Sequence, residues 1–181
     1  MQWSKSHVHS TFHICWAAQA GLYYHFGIEK KPLSQKLFGV YEHQVDYRRS
    51  ILFRGFDDVF QVPQSRYTTV SREEIEANPN LRVLASSSTA GVYAVSTKNG
   101  KQIFITGHSE YDTDTLHQES RRDKLAGLKP VLPQRYYPND DDSLPPVNTW
   151  RSHAHLLFSN WLNYFVYQTT PYEIVRIGAC Q

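Results

Sequence analysis

A chain of 181 residues, 40% hydrophobic and 14% aromatic, is long enough to bury a sizeable core and is expected to fold as a single domain spanning 1–181. Its 19 Lys and Arg stand against 17 Asp and Glu, a net charge of +2 scattered in short clusters such as "RRDK" and "DDD"; without a long basic stripe, nucleic acid is excluded as the expected partner. No apolar run approaches the roughly 20 residues that cross a bilayer, and the opening "MQWSKSHVHS" lacks the charged start and apolar stretch of a signal peptide, so the expectation is a cytoplasmic chain without membrane contact.

In chain order, "STFHIC" reads as a short apolar strand. "WAAQAGLYYHF" reads as the helix that follows, closing at the C-cap residue Gly27. "KLFGVYEHQV" and "DDVFQV" are strand candidates, and "PQSR" after the second places Ser65 on a loop. "GVYAVSTKNGKQIFITGH" gives two strand-like runs joined across Asn99-Gly100, a dipeptide that supplies positive φ to a tight turn, and the second run ends beside His108.

"DTDTLHQESRRDKLAG" has Asp and Thr caps, a charged middle and a terminating Gly127, the pattern of a helix carrying Arg122. The Pro- and Asp-rich "LKPVLPQRYYPNDDDSLPPVN" reads as a long loop. A last helix starts near Asn148 or Thr149, with Trp150, Ala154, Leu157, Trp161 and Phe165 at helical spacing on a core face. Strands alternating with helices predict an α/β sandwich with a mainly parallel sheet, whose site lies at the carboxyl ends of its strands. Cys15 and His108 both fall at such ends.

A thiol attacks a carbonyl or thioester as thiolate, which calls for a helix N-terminus, a histidine, or both beside it. Cys15 between a strand and a helix would meet the first need, with the Trp16 N–H aimed where an oxyanion forms. The competing reading is a small buried core thiol. In "ITGHSEYD", His108 just past a strand end and Glu110 two residues on supply a base and its orienting carboxylate. Arg122 reads either as a fork for a substrate carboxylate or as a surface partner of Glu119, and Lys36 and Ser65 read as a surface lysine and a turn serine. His7 and His9 would share a strand face while His153 and His155 diverge on a helix, and with no Cys/His cluster of ligand spacing no metal is expected.

Taken together, "HICWAAQAGLYYHFGI", "LFRGFDDVFQVPQSRYTTV", "GVYAVSTKNGKQIFITGHSEYDTDTL" and "PNDDDSLPPVNTWRSHAHLLFSNWLNYFVYQTTPY" resemble the homoserine O-acyltransferases of methionine biosynthesis. The resemblance runs from Met1 to about Tyr172. It implies a class I glutamine-amidotransferase-like, flavodoxin-like sandwich and a ping-pong transfer of acyl from acetyl-CoA or succinyl-CoA to L-homoserine. Cys15 would carry the acyl group, His108 would act as base, Glu110 would orient it, and the Trp16 amide would hold the oxyanion. Arg122 matches the family's ligand for the homoserine carboxylate, with Lys36 and Ser65 at its other substrate-contacting positions. CoA is then a substrate, no bound cofactor or metal is implied, and a homodimer is a compatible assembly.

Members of this family carry a large N-terminal portion ahead of the nucleophile, so the 181 residues correspond to the C-terminal part of such a domain and are expected to be poorly soluble or partly unfolded when made alone. Ala17 stands where the pattern has glycine, and Ser109 stands where proline is usual between the histidine and the acid. The tail "EIVRIGACQ" with Cys180 is left unassigned; Cys15 and Cys180, at opposite ends of the chain, are expected as free thiols. Two other functions remain open at this stage: a glutamine amidotransferase-type hydrolase on the same fold, and an inactive homologue that serves only as a binding module.

Overall fold

The computed structural model describes residues 1–127 and 131–171. Cys180 and the unassigned tail therefore lie outside the described residues. The elements are α1 (Ser4–His7), β1 (Thr11–Ile14), α2 (Trp16–Phe26), β2 (Lys30–Val45), β3 (Val59–Val70), α3 (Arg72–Ala77), β4 (Leu81–Ser87), β5 (Gly91–Thr97), β6 (Gln102–Ile105), α4 (Thr115–Leu125) and α5 (Arg151–Asn160). A π-helical segment, Trp161–Tyr167, continues α5. His7 closes α1 and so shares no strand face with His9.

The strands form one six-stranded sheet in the order β1-β6-β5-β4-β2-β3. The α/β class stands, but the expected predominance of parallel pairing does not. Among the described residues, β1 and β6 pair parallel, while β6–β5, β5–β4, β4–β2 and β2–β3 pair antiparallel. The reason lies in the connections: the β2–β3, β4–β5 and β5–β6 links reverse the chain, and β3 crosses through the brief α3 to the far side of β2, where β4 runs in the direction of β3 and so antiparallel to β2. In the β5–β6 link only Gly100 of the Asn99-Gly100 pair takes positive φ, at 72°.

Side chains alternate across β6: Ile103 and Ile105 face one side and Phe104 the other, all three fully buried. Phe104 meets α2 through Ala18 and Leu22, and a Cβ on Gly21 would come within 2.8 Å of the Phe104 ring, so glycine there lets the helix seat on the sheet. Burial of that ring contributes about 2–3 kcal/mol. On the opposite face Leu157 of α5 packs with Leu52, Phe53, Phe60, Val62 and Tyr93, with Trp161 and Phe165 partly buried beside them. A third cluster, Phe38, Val40, Leu116, Tyr136, Tyr137 and Trp150, fixes α4 and the Pro- and Asp-rich loop against β2.

Two consequences position a site. The carboxyl ends of the parallel pair, β1 and β6, lie side by side, with Ile14 opposite Ile105. The third cluster brings α4 over the residues that follow β6.

Candidate active site

Cys15 joins β1 to α2 with φ 50° and ψ −111°, a conformation that costs a non-glycine residue roughly 1–3 kcal/mol. The surroundings hold it there. Its N–H donates to the Ile105 carbonyl at 2.7 Å, and its carbonyl accepts from the Gln19 N–H at 3.2 Å. The turn lifts the thiol off the sheet at the start of a helix of 11 residues, whose first N–H, that of Trp16, has no intrahelical acceptor. Cys15 is partly exposed and free, which sets aside the core-thiol reading.

His108 follows β6 by three residues. Its N–H donates to the Pro63 carbonyl of β3 at 2.9 Å. Gly107 permits this approach, since a Cβ there would lie 2.6 Å from Val62 and 2.7 Å from Gln64. The ring Nδ1 sits 2.6 Å from Glu110 Oε1, which leaves Nε2 as the ring nitrogen not engaged by the carboxylate. Burial alone would lower the His108 pKa; the hydrogen bonds and charges of Cys15 and Glu110 outweigh it and raise the value to about 9. Thiol, imidazole and carboxylate thus lie close together, a combination of groups that can supply a nucleophile, a base and an orienting acid.

Ser65 lies within β3, opposite Phe38 of β2, and not on a loop. The proline in "PQSR" is tolerated because β3 is an edge strand, where a missing N–H leaves no ladder partner bare. Lys36 falls in the stretch of β2 between Pro32 and Leu37 where the register shifts, an irregularity of the kind that re-aims a side chain.

The structure brings Lys36 and Ser65 together through α4. Ser65 Oγ donates to Glu119 Oε2 at 2.6 Å, and Lys36 Nζ lies 3.6 Å from the same oxygen and 3.2 Å from Asp123 Oδ2. Arg122 pairs with Asp123 at 2.9 Å rather than with Glu119, and it stays largely exposed. The Asp123 carboxyl is held below its usual range, first by the Arg122 hydrogen bond and then by Lys36. Glu119 and Asp123, four apart on one helix face, are therefore the two acids that gather Lys36, Ser65 and Arg122.

Tyr111 is a site residue that the sequence does not announce. Its ring stacks on His108 with centroids 4.1 Å apart and planes 17° apart, and its hydroxyl donates to Glu119 Oε1 at 2.9 Å. Burial first, and the Glu119 charge second, raise its pKa, so it remains a donor. The H-x-E-Y spacing, which puts an aromatic beside the base, is the only trace the sequence carries. Between His108 and Glu110, the Ser109 hydroxyl hydrogen-bonds the buried Tyr93 hydroxyl at 2.6 Å.

Beside the nucleophile, a cleft of about 400 Å³ lined by Trp16, Gln19, Ala20, Tyr23, Glu29 and Lys30 opens on the outer face of α2. Among the described residues, no group of three or more His, Cys, Asp or Glu is placed to hold a metal ion. No helix among them is long and apolar enough to cross a membrane.

The sequence model of a family described as homoserine O-succinyltransferase matches residues 1–172. The chain belongs to that family. A relative named homoserine O-acetyltransferase from Geobacillus kaustophilus (strain HTA426) is 58% identical over 173 residues, covering 96% of this chain and 57% of the relative. Another of that name, from Brevibacillus brevis, is 54% identical over 174 residues with the same coverage, 96% and 57%. This family member thus spans somewhat over half the length of the curated relatives it matches.

Among solved structures, a glutamine amidotransferase from Thermotoga maritima superposes with a TM-score of 0.57 at 18% identity, over 85% of this chain and 61% of that one. A glutamine amido transferase from Methylobacillus flagellatus gives 0.54 at 13% identity, over 83% and 61%. The family member accordingly has the amidotransferase-like fold.

Proposed function

We propose that this site transfers an acyl group from acetyl-CoA or succinyl-CoA to the side-chain hydroxyl of L-homoserine through a thioester on Cys15, a step of methionine biosynthesis. The observation that carries the reading is the Cys15, His108 and Glu110 array, with the cysteine held at positive φ at a helix start. The Cys15 thiolate attacks the acyl-CoA carbonyl, and the tetrahedral oxyanion forms within reach of the Trp16 N–H. Collapse expels CoA thiolate, which takes the proton from the His108 imidazolium.

Homoserine then enters. His108 accepts the proton of its hydroxyl as the oxygen attacks the acyl-cysteine, and Cys15 leaves as thiolate. Glu110 steadies the imidazolium formed in each half-reaction, and Arg122 is the carboxylate ligand, beside Lys36 and Ser65. Exchange between thioesters is nearly isoenergetic, so activation and positioning make up most of the catalytic task.

The test is intact mass with peptide mapping after mixing the folded chain separately with acetyl-CoA and succinyl-CoA. An adduct on Cys15 that homoserine discharges supports the reading and names the donor. A folded chain that forms no adduct overturns it for these residues, and glutamine hydrolysis in its place would favour an amidotransferase.

A further inference from the structure

His108 is held at its edge by Glu110 and at its face by Tyr111, and the two restraints differ in where they lead. Glu110 sits on the same loop with its side chain partly open to solvent. Tyr111 is tied to its own loop at one point and to the body of the protein at two. Its N–H donates to the His108 carbonyl at 3.2 Å, its carbonyl accepts from the indole N–H of fully buried Trp150 at 2.9 Å, and its hydroxyl donates to Glu119 at 2.9 Å. Glu119 in turn holds Ser65 and faces Lys36, the positions expected to meet homoserine. One side chain therefore joins the base to the substrate side of the site.

We propose that Tyr111 is a positioning residue: its ring fixes the His108 imidazole so that Nε2 meets Cys15, and its hydroxyl makes that alignment depend on the state of Glu119. The inference rests on the reading of Cys15 and His108 as nucleophile and base, yet its test needs no acyl donor. Two physical effects act together. A ring face stacked on imidazole blocks rotation about its side-chain bonds, and it favours the protonated form through the attraction between a cation and an aromatic face. The charged and titratable groups around His108 are Cys15 at the start of α2, Glu110 on its own loop and Tyr111 over its face, with Arg66 of β3 acting on Cys15 and Glu119 of α4 and Lys36 of β2 one contact further out.

The measurement is the rate of Cys15 alkylation by iodoacetamide, followed by peptide mapping from about pH 5 to about pH 10, across the histidine and thiol ranges. Tyr111→Leu removes the stacked face that holds the imidazole and lowers the alkylation rate about tenfold at neutral pH. A Leu variant that is folded by circular dichroism and keeps the original profile overturns the proposal.

Should the Leu variant not fold, the conservative pair decides. Tyr111→Phe keeps the face and loses the hydroxyl, and Glu119→Gln removes the charge that the hydroxyl meets. If the hydroxyl carries the link, Glu119→Gln changes the alkylation rate about threefold when Tyr111 is present and leaves it unchanged when combined with Tyr111→Phe, a coupling that independent sites do not show. Multiplicative effects refute the link. A chain whose Cys15 alkylates in this manner yet never takes up acyl from either CoA ester refutes the proposed function and leaves the role of Tyr111 standing.

Discussion

Two histidines sit deep in this fold and are pushed in opposite directions. His43 of β2 is 2% exposed; its Nδ1–H donates to the Tyr41 carbonyl at 2.9 Å and its Nε2 accepts from the Gln64 amide at 3.3 Å. Burial first, and the nearby Arg66 guanidinium in addition, lower its pKa from 6.5 to about 4. His108 meets the same desolvation but faces a carboxylate and a thiol, and its pKa rises to about 9. Burial penalises both imidazolium forms; the neighbours decide the sign.

The difference separates scaffold from chemistry. Around His43 every hydrogen bond is made by neutral or fixed-charge groups: Gln64 Oε1 accepts from Arg66 Nε at 3.0 Å, and Arg66 donates to the Thr68 and Ala90 carbonyls at 2.6 and 2.5 Å. That network stiffens the stretch of β3 from Gln64 to Thr68, which presents Ser65 to Glu119 beside the Pro63 carbonyl that holds His108. It has no proton to exchange near neutral pH. The His108 array does.

The largest expected effect comes from swapping the chemistry at each centre. His108→Gln removes the base and should lower Cys15 acylation by about 10²–10⁴-fold, the usual worth of a positioned general base. His43→Gln should leave acylation within about threefold and lower stability instead, since a buried network loses its fit. Equal losses of acylation in the two variants would erase the distinction drawn between them.

Stability against pH sharpens the same contrast with a smaller effect. His43 binds its proton more weakly folded than unfolded, so its contribution is complete above the ordinary histidine value of 6.5 and is lost as pH falls toward 4. His108 binds its proton more tightly folded, so its contribution is complete below 6.5 and is lost as pH rises toward 9. Each window spans up to about 3 kcal/mol at 1.36 kcal/mol per unit. Urea midpoints across pH should show a flatter acid limb in His43→Gln and a flatter alkaline limb in His108→Gln; limbs unchanged by either substitution would count against these assignments.

Where the sequence can be read, local pattern and local structure agree. A short strand, a cysteine and a helix with a glycine C-cap are contiguous, so the Cys15 turn is visible in the chain, and His108 with Glu110 lie two residues apart past a strand end. Proline in "PQSR" argues for a loop because strand propensity carries no information about which strand is at an edge. A mainly parallel sheet follows from counting helices between strands, whereas the reversing links β2–β3, β4–β5 and β5–β6 decide the direction of pairing. Glu119 and Tyr111 are out of reach for a different reason: the Ser65 to Glu119 contact spans 54 residues of chain, and only the packing of α4 through Leu116 against Phe38 and Val40 creates it.

Ser109 offers the smallest test, because it lies beside the base without touching it. Its hydroxyl and that of Tyr93, which is 1% exposed, form a buried pair linking the His108 loop to β5. Ser109→Ala leaves the Tyr93 hydroxyl without this partner, an expected cost of about 1–3 kcal/mol. Tyr93→Phe removes the stranded hydroxyl, so the double variant should be less destabilised than the two single costs added together. Cys15 alkylation should change by less than about twofold in Ser109→Ala, since Pro63 still holds the His108 backbone and Glu110 and Tyr111 still hold its ring, and lost contacts that do not touch the reacting groups show in stability before rate. Unfolding midpoints and alkylation rates on the same four proteins would decide it. A rate that falls as steeply as the stability would mean that Ser109 takes part in aligning His108.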